Sequence, residues 1–372
     1  MKIKGMICLS ILALNVNPFM AAQSNELTEL GKQLFFDTTL SEPAGQACAS
    51  CHLPTAGFAD PDRELPVSRG VHPDRFGDRN TPSIAYSMFT PTLNYDEEEQ
   101  HYVGGLFHDG RAATLEEQAK QPFLNVVEMA NPDKESVVRK VRAAPYAQQF
   151  DKVFGKDILK DADKAFNSIA KALAAFERTE VFRPFSSKYD YFLAGKVELT
   201  AQEARGLELF EAEDKGNCVA CHPSKLGSKG EPPLFTDYTY DNIGLPVNQA
   251  NPFYFQSKRF NPKGDQYVDI GLAKTTGRSE DLGKFKVPTL RNVALTPPYL
   301  HNGIFSGLKE VVDFYNTRDT RDDWGTPEVS ENVNTEELGD LGLSDEEVDA
   351  IVAFMGTLTD GYDINQKSAG EK

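Results

Sequence analysis

Amphipathic helices are predicted in four segments, because apolar residues recur there at three- and four-residue spacing. Two of these segments start with a Ser or Thr three residues before a Glu, at Thr200 and at Ser344, which is the capping-box signature of a helix start. The apolar positions are Leu27, Leu30, Leu34 and Phe35; Phe166, Ile169, Leu173 and Phe176; the segment from Glu203 to Phe210; and Val348, Ile351, Val352 and Met355.

The four helices occur as two similar pairs. Each pair has one helix just before a short cysteine motif and one helix that closes the segment after a long loop region. The repeat predicts an internal duplication and a mostly α-helical fold of two domains packed together, with few short strands. We expect the domains at residues 23–185 and 186–372, with the break between Arg178 and Glu198.

The composition is that of a globular protein with an acidic surface. The chain has 372 residues, 40% of them hydrophobic, and 56 acidic against 39 basic side chains, which give a net charge of -17. This charge would repel a nucleic-acid backbone, so we expect no nucleic-acid partner. The acidic surface suits neutral or basic partners, and solubility alone explains it equally well.

The N-terminus has the organisation of a secretory signal peptide, predicted over residues 1–22. Two lysines precede an apolar run from Met6 to about Met20, and two alanines follow it. A lipid anchor on Cys8 is the competing interpretation, but this cysteine lies inside the apolar run without a small-residue cleavage context. We expect an exported, soluble protein of the periplasm without membrane insertion, since no later segment is as apolar.

Four cysteines remain after the signal peptide, and they form two copies of the pattern Cys-x-x-Cys-His. The copies are Cys48, Cys51 and His52, and Cys218, Cys221 and His222. Cysteines at i and i+3 share one face of a helical turn, where both can form thioethers with haem vinyl groups while the histidine binds iron. A zinc site or a redox-active dithiol explains one pair, but neither explains a histidine after both pairs. We therefore predict two covalently bound haem c groups.

The second ligand of each haem iron separates an electron carrier from a reaction centre. Electron-transfer haems are usually held on both sides, often by His and Met, whereas a haem that uses peroxide keeps one side open. The residues alone leave this ligand open among three methionines and four histidines, although core packing is the default interpretation of Met355. The candidates are Met88, Met129, Met355, His72, His101, His108 and His301.

Two further segments resemble the signatures of bacterial diheme cytochrome c peroxidases and the related MauG enzymes. The first contains Phe-His-Asp-Gly-Arg-Ala-Ala-Thr-Leu-Glu-Glu-Gln-Ala at residues 107–119 and Val-Glu-Met at residues 127–129. The second is Phe-Lys-Val-Pro-Thr-Leu-Arg-Asn at residues 285–292. With both haem motifs in order, the resemblance extends over residues 27–358. It implies an oxidoreductase that uses hydrogen peroxide.

The resemblance implies different roles for the two haems. The haem on His52 would react with peroxide, with Glu128 and Gln118 on its open side, and the haem on His222 would store and pass electrons. Taken alone, Glu128 is more typical of a solvated loop acid. In its apolar setting, however, a carboxylate can take a proton from one peroxide oxygen and return it to the other.

The second haem separates two branches of the family. The peroxidases have a Met ligand nineteen residues after the Thr of a Leu-Thr-x-Pro-Tyr segment, which here is Thr296, so the corresponding residue is Tyr315. MauG enzymes have Tyr at this position, and an oxygen ligand favours oxidised iron more than a thioether does. Periodicity with Leu308, Val311 and Val312 alone would instead make Tyr315 a core residue.

The resemblance also assigns residues between and beside the haems. His108 replaces the family's inter-haem Trp, and an imidazole is harder to oxidise than an indole, which argues against a stepwise radical relay here. His301 would make a hydrogen bond close to the second haem. Asn80, Thr296 and Pro298 match positions that bind calcium, which prefers oxygen ligands.

Three functions remain open, and the first is favoured. It is oxidation of a periplasmic protein partner by long-range electron transfer, as implied by Tyr315. The second is a detoxifying cytochrome c peroxidase that receives electrons from a small cytochrome c or a cupredoxin, for which the missing relay Trp argues. The third is a non-catalytic diheme electron-transfer cytochrome, against which Glu128 and Gln118 argue. Trp324, the single Trp of the chain, is interpreted as a surface packing residue, with a role as an electron or hole relay as the alternative.

Overall fold

The computed structural model describes residues 18–365, so most of the predicted signal peptide lies outside the described residues. Within this range the fold is mostly helical with two short antiparallel sheets, which confirms the predicted fold class. No helix among these residues is both long and apolar enough to cross a membrane. The helices are α1 (Pro18–Phe36), α2 (Cys48–Cys51), α3 (Leu115–Leu124), α4 (Lys134–Ala143), α5 (Ala147–Phe154), α6 (Ala162–Glu177), α7 (Lys188–Leu193), α8 (Ala201–Glu211), α9 (Ala273–Thr276), α10 (Leu308–Thr317) and α11 (Asp345–Gly356).

The strands are short and lie in loop regions. Strand β1 (Asn94–Asp96) pairs with β2 (His101–Val103), and β3 (Tyr240–Asp241) pairs with β4 (Phe285–Lys286). Tyr240 is opposite Lys286 in the second pair. This pair matters for the site, because it holds the second family-like segment against the loop that follows the second cysteine motif.

Helices α1 and α6 form the centre of the first half. The predicted apolar stripes lie at their contact and are buried except for the half-buried Leu27. The rings of Phe35 and Phe176 lie 5.4 Å apart there in an edge-to-face arrangement. The backbones approach closely at Gly31, where a Cβ atom would lie 1.9 Å from the carbonyl oxygen of Ala172. Only glycine fits at this crossing without displacing α6.

Helices α8 and α11 repeat this arrangement in the second half. Both predicted capping boxes are present, at the first turns of α8 and α11. A Cβ atom on Gly206 would lie 1.9 Å from the carbonyl oxygen of Ala350, as in the first half. The nearest side-chain atom is again the Cβ of a phenylalanine, Phe354 here and Phe176 in the first half. The two helix pairs therefore correspond position by position, as the internal duplication predicts.

Each half also has its own apolar core. The larger cluster contains residues up to Phe182, and the second large cluster begins at Tyr189. Polar contacts connect the halves, and in one of them the Tyr86 hydroxyl donates to the Asp360 carboxylate at 2.8 Å. The domain boundary between residues 185 and 186 stays a prediction.

Candidate functional site

A single cavity of about 470 Å³ reaches both cysteine motifs, and we call it the shared cavity. Its volume is within the range of small-molecule and cofactor sites. Every residue predicted for the site lines it: Asn80, Gln118, Glu128, His108, His301, Thr296, Pro298, Tyr315 and the six residues of the two motifs. The structure thus brings together residues that are far apart in the sequence.

The first motif is a helical turn, α2, whose end positions a histidine. The backbone N–H of His52 donates to Cys48 O at 2.9 Å, and the His52 ring nitrogen Nδ1 lies 3.0 Å from Phe58 O. This pairing leaves Nε2 as the nitrogen for a metal. Burial lowers the pKa of His52 to about 4, so the ring is neutral at pH 7, as iron ligation requires.

The second motif repeats this geometry. A 3-10 turn spans Cys218–Ala220, the backbone N–H of His222 donates to Cys218 O at 2.8 Å, and Nδ1 of His222 lies 2.8 Å from Phe235 O. Burial lowers the pKa of His222 as well. Phe58 and Phe235, which accept from the two histidines, both have left-handed backbones, with φ of 60° and 53°. Such strain is retained where the surrounding structure needs it. Both motifs therefore fit a haem with an axial imidazole.

On the first side of the cavity, an acid and an amide face the same space. Gln118 lies on α3, and Glu128 lies in the loop after that helix. The Asn125 side-chain nitrogen donates to Glu128 Oε1 at 2.7 Å. Burial raises the pKa of Glu128, and the Asn125 hydrogen bond and Arg111 oppose this. Asn125 was not predicted, although its position three residues before Glu128 in a turn could have indicated it.

On the second side, Tyr315 extends from α10 into the cavity near the cysteines of the second motif. Burial is the main cause that raises the pKa of the Tyr315 phenol, and the electrostatic effect of Cys221 and Cys218 raises it further. The alternative assignment of Tyr315 to the core is partly correct, because the ring packs against a small apolar cluster that contains Phe314. Met355 also lines the cavity, while it packs in the core of the second half.

Two neutral histidines, His108 and His301, line the cavity. His108 Nε2 lies 2.9 Å from Asn80 O, and the Asn80 N–H donates to His301 O at 2.7 Å. The His301 ring stacks on Phe285 with centroids 3.5 Å apart, and its Nε2 is buried without a hydrogen-bond partner among the described residues. Burial is the main cause that lowers the pKa of His108 to about 4 and that of His301 to about 3. An unpartnered buried nitrogen is consistent with a group that binds in the cavity.

A buried ion-pair network that the sequence analysis missed lies next to these histidines. Arg79 Nη1 lies 2.8 Å from Asp109 Oδ2, and Arg79 Nη2 donates to Asp269 Oδ1 at 2.7 Å. All three side chains are buried, and the pairing with Arg79 lowers the pKa of both carboxyls against the effect of burial. Asp109 belongs to the family-like segment and also pairs with Arg111 Nη1 at 2.9 Å. The long-range pairing of Arg79 with Asp109 and Asp269, in contrast, is not apparent from local sequence. The network joins the two halves between the motifs.

The residues predicted to bind calcium lie on the cavity wall. The side-chain nitrogen of Asn80 donates to Pro66 O at 3.0 Å, and the Thr296 hydroxyl donates to Val293 O at 3.2 Å. Pro298 follows a cis peptide bond. In the described range no cluster of three His, Cys, Asp or Glu side chains is suited to a metal ion.

Trp324 packs at the far side of the helix that carries Tyr315. Its ring is edge-to-face with Phe314, with centroids 5.4 Å apart, and its Nε1 donates to Thr317 Oγ1 at 3.0 Å. The side chain is half-buried. This environment agrees with a packing role.

The chain belongs to the di-haem cytochrome c peroxidase family. The family model of that description matches residues 25–198. Methylamine utilization protein MauG of Paracoccus denitrificans is 42% identical over 353 residues, with 90% of this chain and 88% of the relative covered. Cytochrome-c peroxidase IdrP1 of a Pseudomonas species is 33% identical over 351 residues, with 91% and 82% covered.

Solved structures of the family have the same fold. The diheme peroxidase BthA from Burkholderia thailandensis superposes with a TM-score of 0.82 and 34% identity, and 92% of this chain and 88% of that chain are covered. These similarities confirm the predicted family and the prediction of an enzyme, an oxidoreductase of the peroxidase and MauG group. Membership implies two haem groups, and the shared cavity with its two motifs fits them.

Proposed function

We propose that this chain is an exported diheme oxidoreductase. It uses hydrogen peroxide at one haem and, through a second haem with a Tyr ligand, oxidises a protein partner by long-range electron transfer. The observation that carries the proposal is Tyr315, which lines the same cavity as Cys218 and Cys221. The identity to MauG supports it. When bound, the haem irons supply the redox chemistry, while the residues below hold the groups and move protons.

Covalent attachment of haem c is proposed at both motifs, with His52 and His222 as iron ligands. In support, all four cysteines are free and line the cavity. Replacing Cys218 and Cys221 together by Ser should halve the covalently bound haem per chain, measured as haem absorbance after acid-acetone extraction and as protein mass. An unchanged covalent haem content would contradict this assignment.

Glu128 is proposed as the group that moves a proton between the two peroxide oxygens, with Gln118 beside it. A carboxyl whose pKa burial has raised can both accept and return a proton, and Asn125 orients it. Glu128→Gln should slow the reaction of the ferric protein with peroxide by about 10²–10⁴-fold. The control Glu64→Gln, on an exposed loop, should react like the wild type. An unchanged rate in Glu128→Gln would assign proton transfer elsewhere.

Tyr315 is proposed as the second ligand of the haem on His222. Electron paramagnetic resonance of the resting ferric protein should show one high-spin and one low-spin haem, and Tyr315→Phe should change the low-spin signal. Met355→Leu is the matched control, because Met355 also faces the cavity. A low-spin signal that follows Met355 instead would overturn the ligand assignment. Two low-spin haems without reaction with peroxide would indicate the non-catalytic electron-transfer cytochrome.

One observation favours a detoxifying peroxidase as the second candidate function. His108 occupies the position of the family's inter-haem Trp, and its ring is held against Asn80 O. Because an imidazole is harder to oxidise than an indole, His108 is poorly suited to pass an oxidising equivalent outward. Rapid peroxide-dependent oxidation of a reduced small cytochrome c or cupredoxin would favour this function. Negligible turnover with such donors, together with a long-lived oxidised form of the protein, would favour oxidation of a protein partner.

We further propose a calcium ion between the haems, with Asn80, Thr296 and Pro298 as oxygen ligands together with water. All three line the shared cavity. Metal analysis should find one calcium per chain, and removal of calcium by a chelator should shift the haem spectrum.

Export to the periplasm is proposed from the N-terminal sequence. Mass spectrometry of the mature protein should find an N-terminus near residue 23.

A further inference from the structure

Glu177 is a buried acid at the end of α6 that the proposed reaction does not use. Its side chain is 5% exposed, it lines the shared cavity, and its Oε2 has no hydrogen-bond partner among the described residues. Burial is the main cause that raises the pKa of the Cys48 thiol, and the charge of Glu177 is the second cause. The Glu177 carboxyl therefore lies near the first motif.

The charged neighbours of Glu177 do not compensate for its burial. The Arg178 guanidinium lowers the pKa of Glu177, but its Nη1 also lies 2.7 Å from Glu116 Oε1 on α3. The negative charge of Glu116 raises the pKa of Glu177. Burial dominates and raises the pKa of Glu177 to about 8. The side chain therefore carries a proton at pH 7, because an ionised carboxylate without a partner is unfavourable in such a place.

The second half of the chain demonstrates that packing does not require an acid here. Ala172 and Phe176 of α6 correspond to Ala350 and Phe354 of α11, since they surround Gly31 and Gly206 in the same way. Glu177 therefore corresponds to Met355, which also lines the cavity. The duplicated position holds a thioether at one haem site and a buried carboxyl at the other.

We propose that the charge of Glu177 makes the reduction potential of the first haem depend on pH. The proposal rests on the proposed haem at Cys48 and His52. At a pH above the pKa of Glu177 in the oxidised protein, where the side chain is ionised, Glu177 takes up one proton from solvent when this haem gains one electron, because the added negative charge favours the neutral acid. It releases this proton when the haem is oxidised. The potential then falls as the pH rises through the pKa values of Glu177 in the two iron states.

The size of the effect follows from the burial of Glu177. A unit charge nearby in the protein interior changes a proton affinity by roughly tenfold or more. A tenfold change corresponds to about 59 mV for a one-electron couple. The second haem has Met355 at the corresponding position, so its potential should lack this contribution and serves as an internal reference.

The test is a redox titration of the diheme protein followed by absorbance between pH 6 and 10. Glu177→Gln and Glu177→Met should both remove most of the pH dependence of the first haem and leave the second unchanged. Glu180→Gln, an exposed acid just after α6, should behave like the wild type. Glu177→Met copies the residue of the other half and provides a second variant if the amide is not tolerated.

The outcomes separate this inference from the proposed function. A first-haem potential whose pH dependence is the same in the wild type and both variants overturns the role of Glu177. Such a result leaves peroxide chemistry and the Tyr315 ligand untouched, since the titration involves neither peroxide nor a partner. A protein with no haem bound at Cys48 and Cys51 would instead overturn the function and the inference together.

Discussion

Replacing Gly206 by Ala should destabilise the second half of the protein, although alanine is the better helix former. The new Cβ atom would lie 1.9 Å from Ala350 O, whereas ordinary contacts begin at 3.4 Å, so α8 and α11 would have to separate by about 1.5 Å. The opposing atom is backbone and cannot change rotamer. We therefore assign the upper end of the usual overpacking cost, about 3 kcal/mol. The better helix propensity of Ala offsets about 1 kcal/mol, which leaves a net loss of about 2 kcal/mol.

Gly356→Ala is the matched control, because Gly356 ends the facing helix α11 and a Cβ there meets no atom within 4 Å. This substitution should stabilise the protein by about 0.4–1 kcal/mol. Urea unfolding of both variants, followed by far-ultraviolet circular dichroism with haem bound, measures the free energy of unfolding. If Gly206→Ala is as stable as the wild type, or Gly356→Ala is the less stable of the two variants, the close helix crossing does not control stability.

Two further predictions concern stability. Arg79→Met should cost about 3–5 kcal/mol at pH 7, because Asp269 would stay buried without its partner and Asp109 would keep only Arg111. The cost should be smaller at pH 4 in urea unfolding. In the wild type the lowered pKa of Asp269 adds stability that is lost only as the pH falls below about 4, so most of it remains at pH 4. In the variant burial raises the pKa of Asp269, and protonation of this carboxyl between pH 7 and pH 4 relieves the cost. An equal cost at both pH values would contradict this account. Thr200→Ala, which removes the cap of α8, should lower the unfolding free energy by about 1 kcal/mol, and no change would show that the cap is dispensable.

Local interactions explain why so much was predictable from the sequence. The capping boxes and apolar stripes specify helices through contacts within a few residues, so the four helices α1, α6, α8 and α11 were predicted close to their observed positions. The Cys-x-x-Cys-His motifs likewise place two thiols and an imidazole on one turn through chain geometry alone. The residues of the first site from Gln118 to Glu128 are close in sequence, and a resemblance to the family identified them.

The tertiary structure alone decided which distant groups meet. It pairs Arg79 with Asp269 and leaves Oε2 of Glu177 without a hydrogen-bond partner among the described residues. It also brings the carbonyl oxygens of Phe58 and Phe235 to the histidines of the two cysteine motifs. Periodicity could not separate a core tyrosine from a cavity-lining one at residue 315, because both uses share the same helical face. Long loops make these contacts, and a loop's path depends on the whole packed chain rather than on its own sequence. The sequence therefore determined the local elements and the chemistry of the motifs, and packing determined which buried charges are paired.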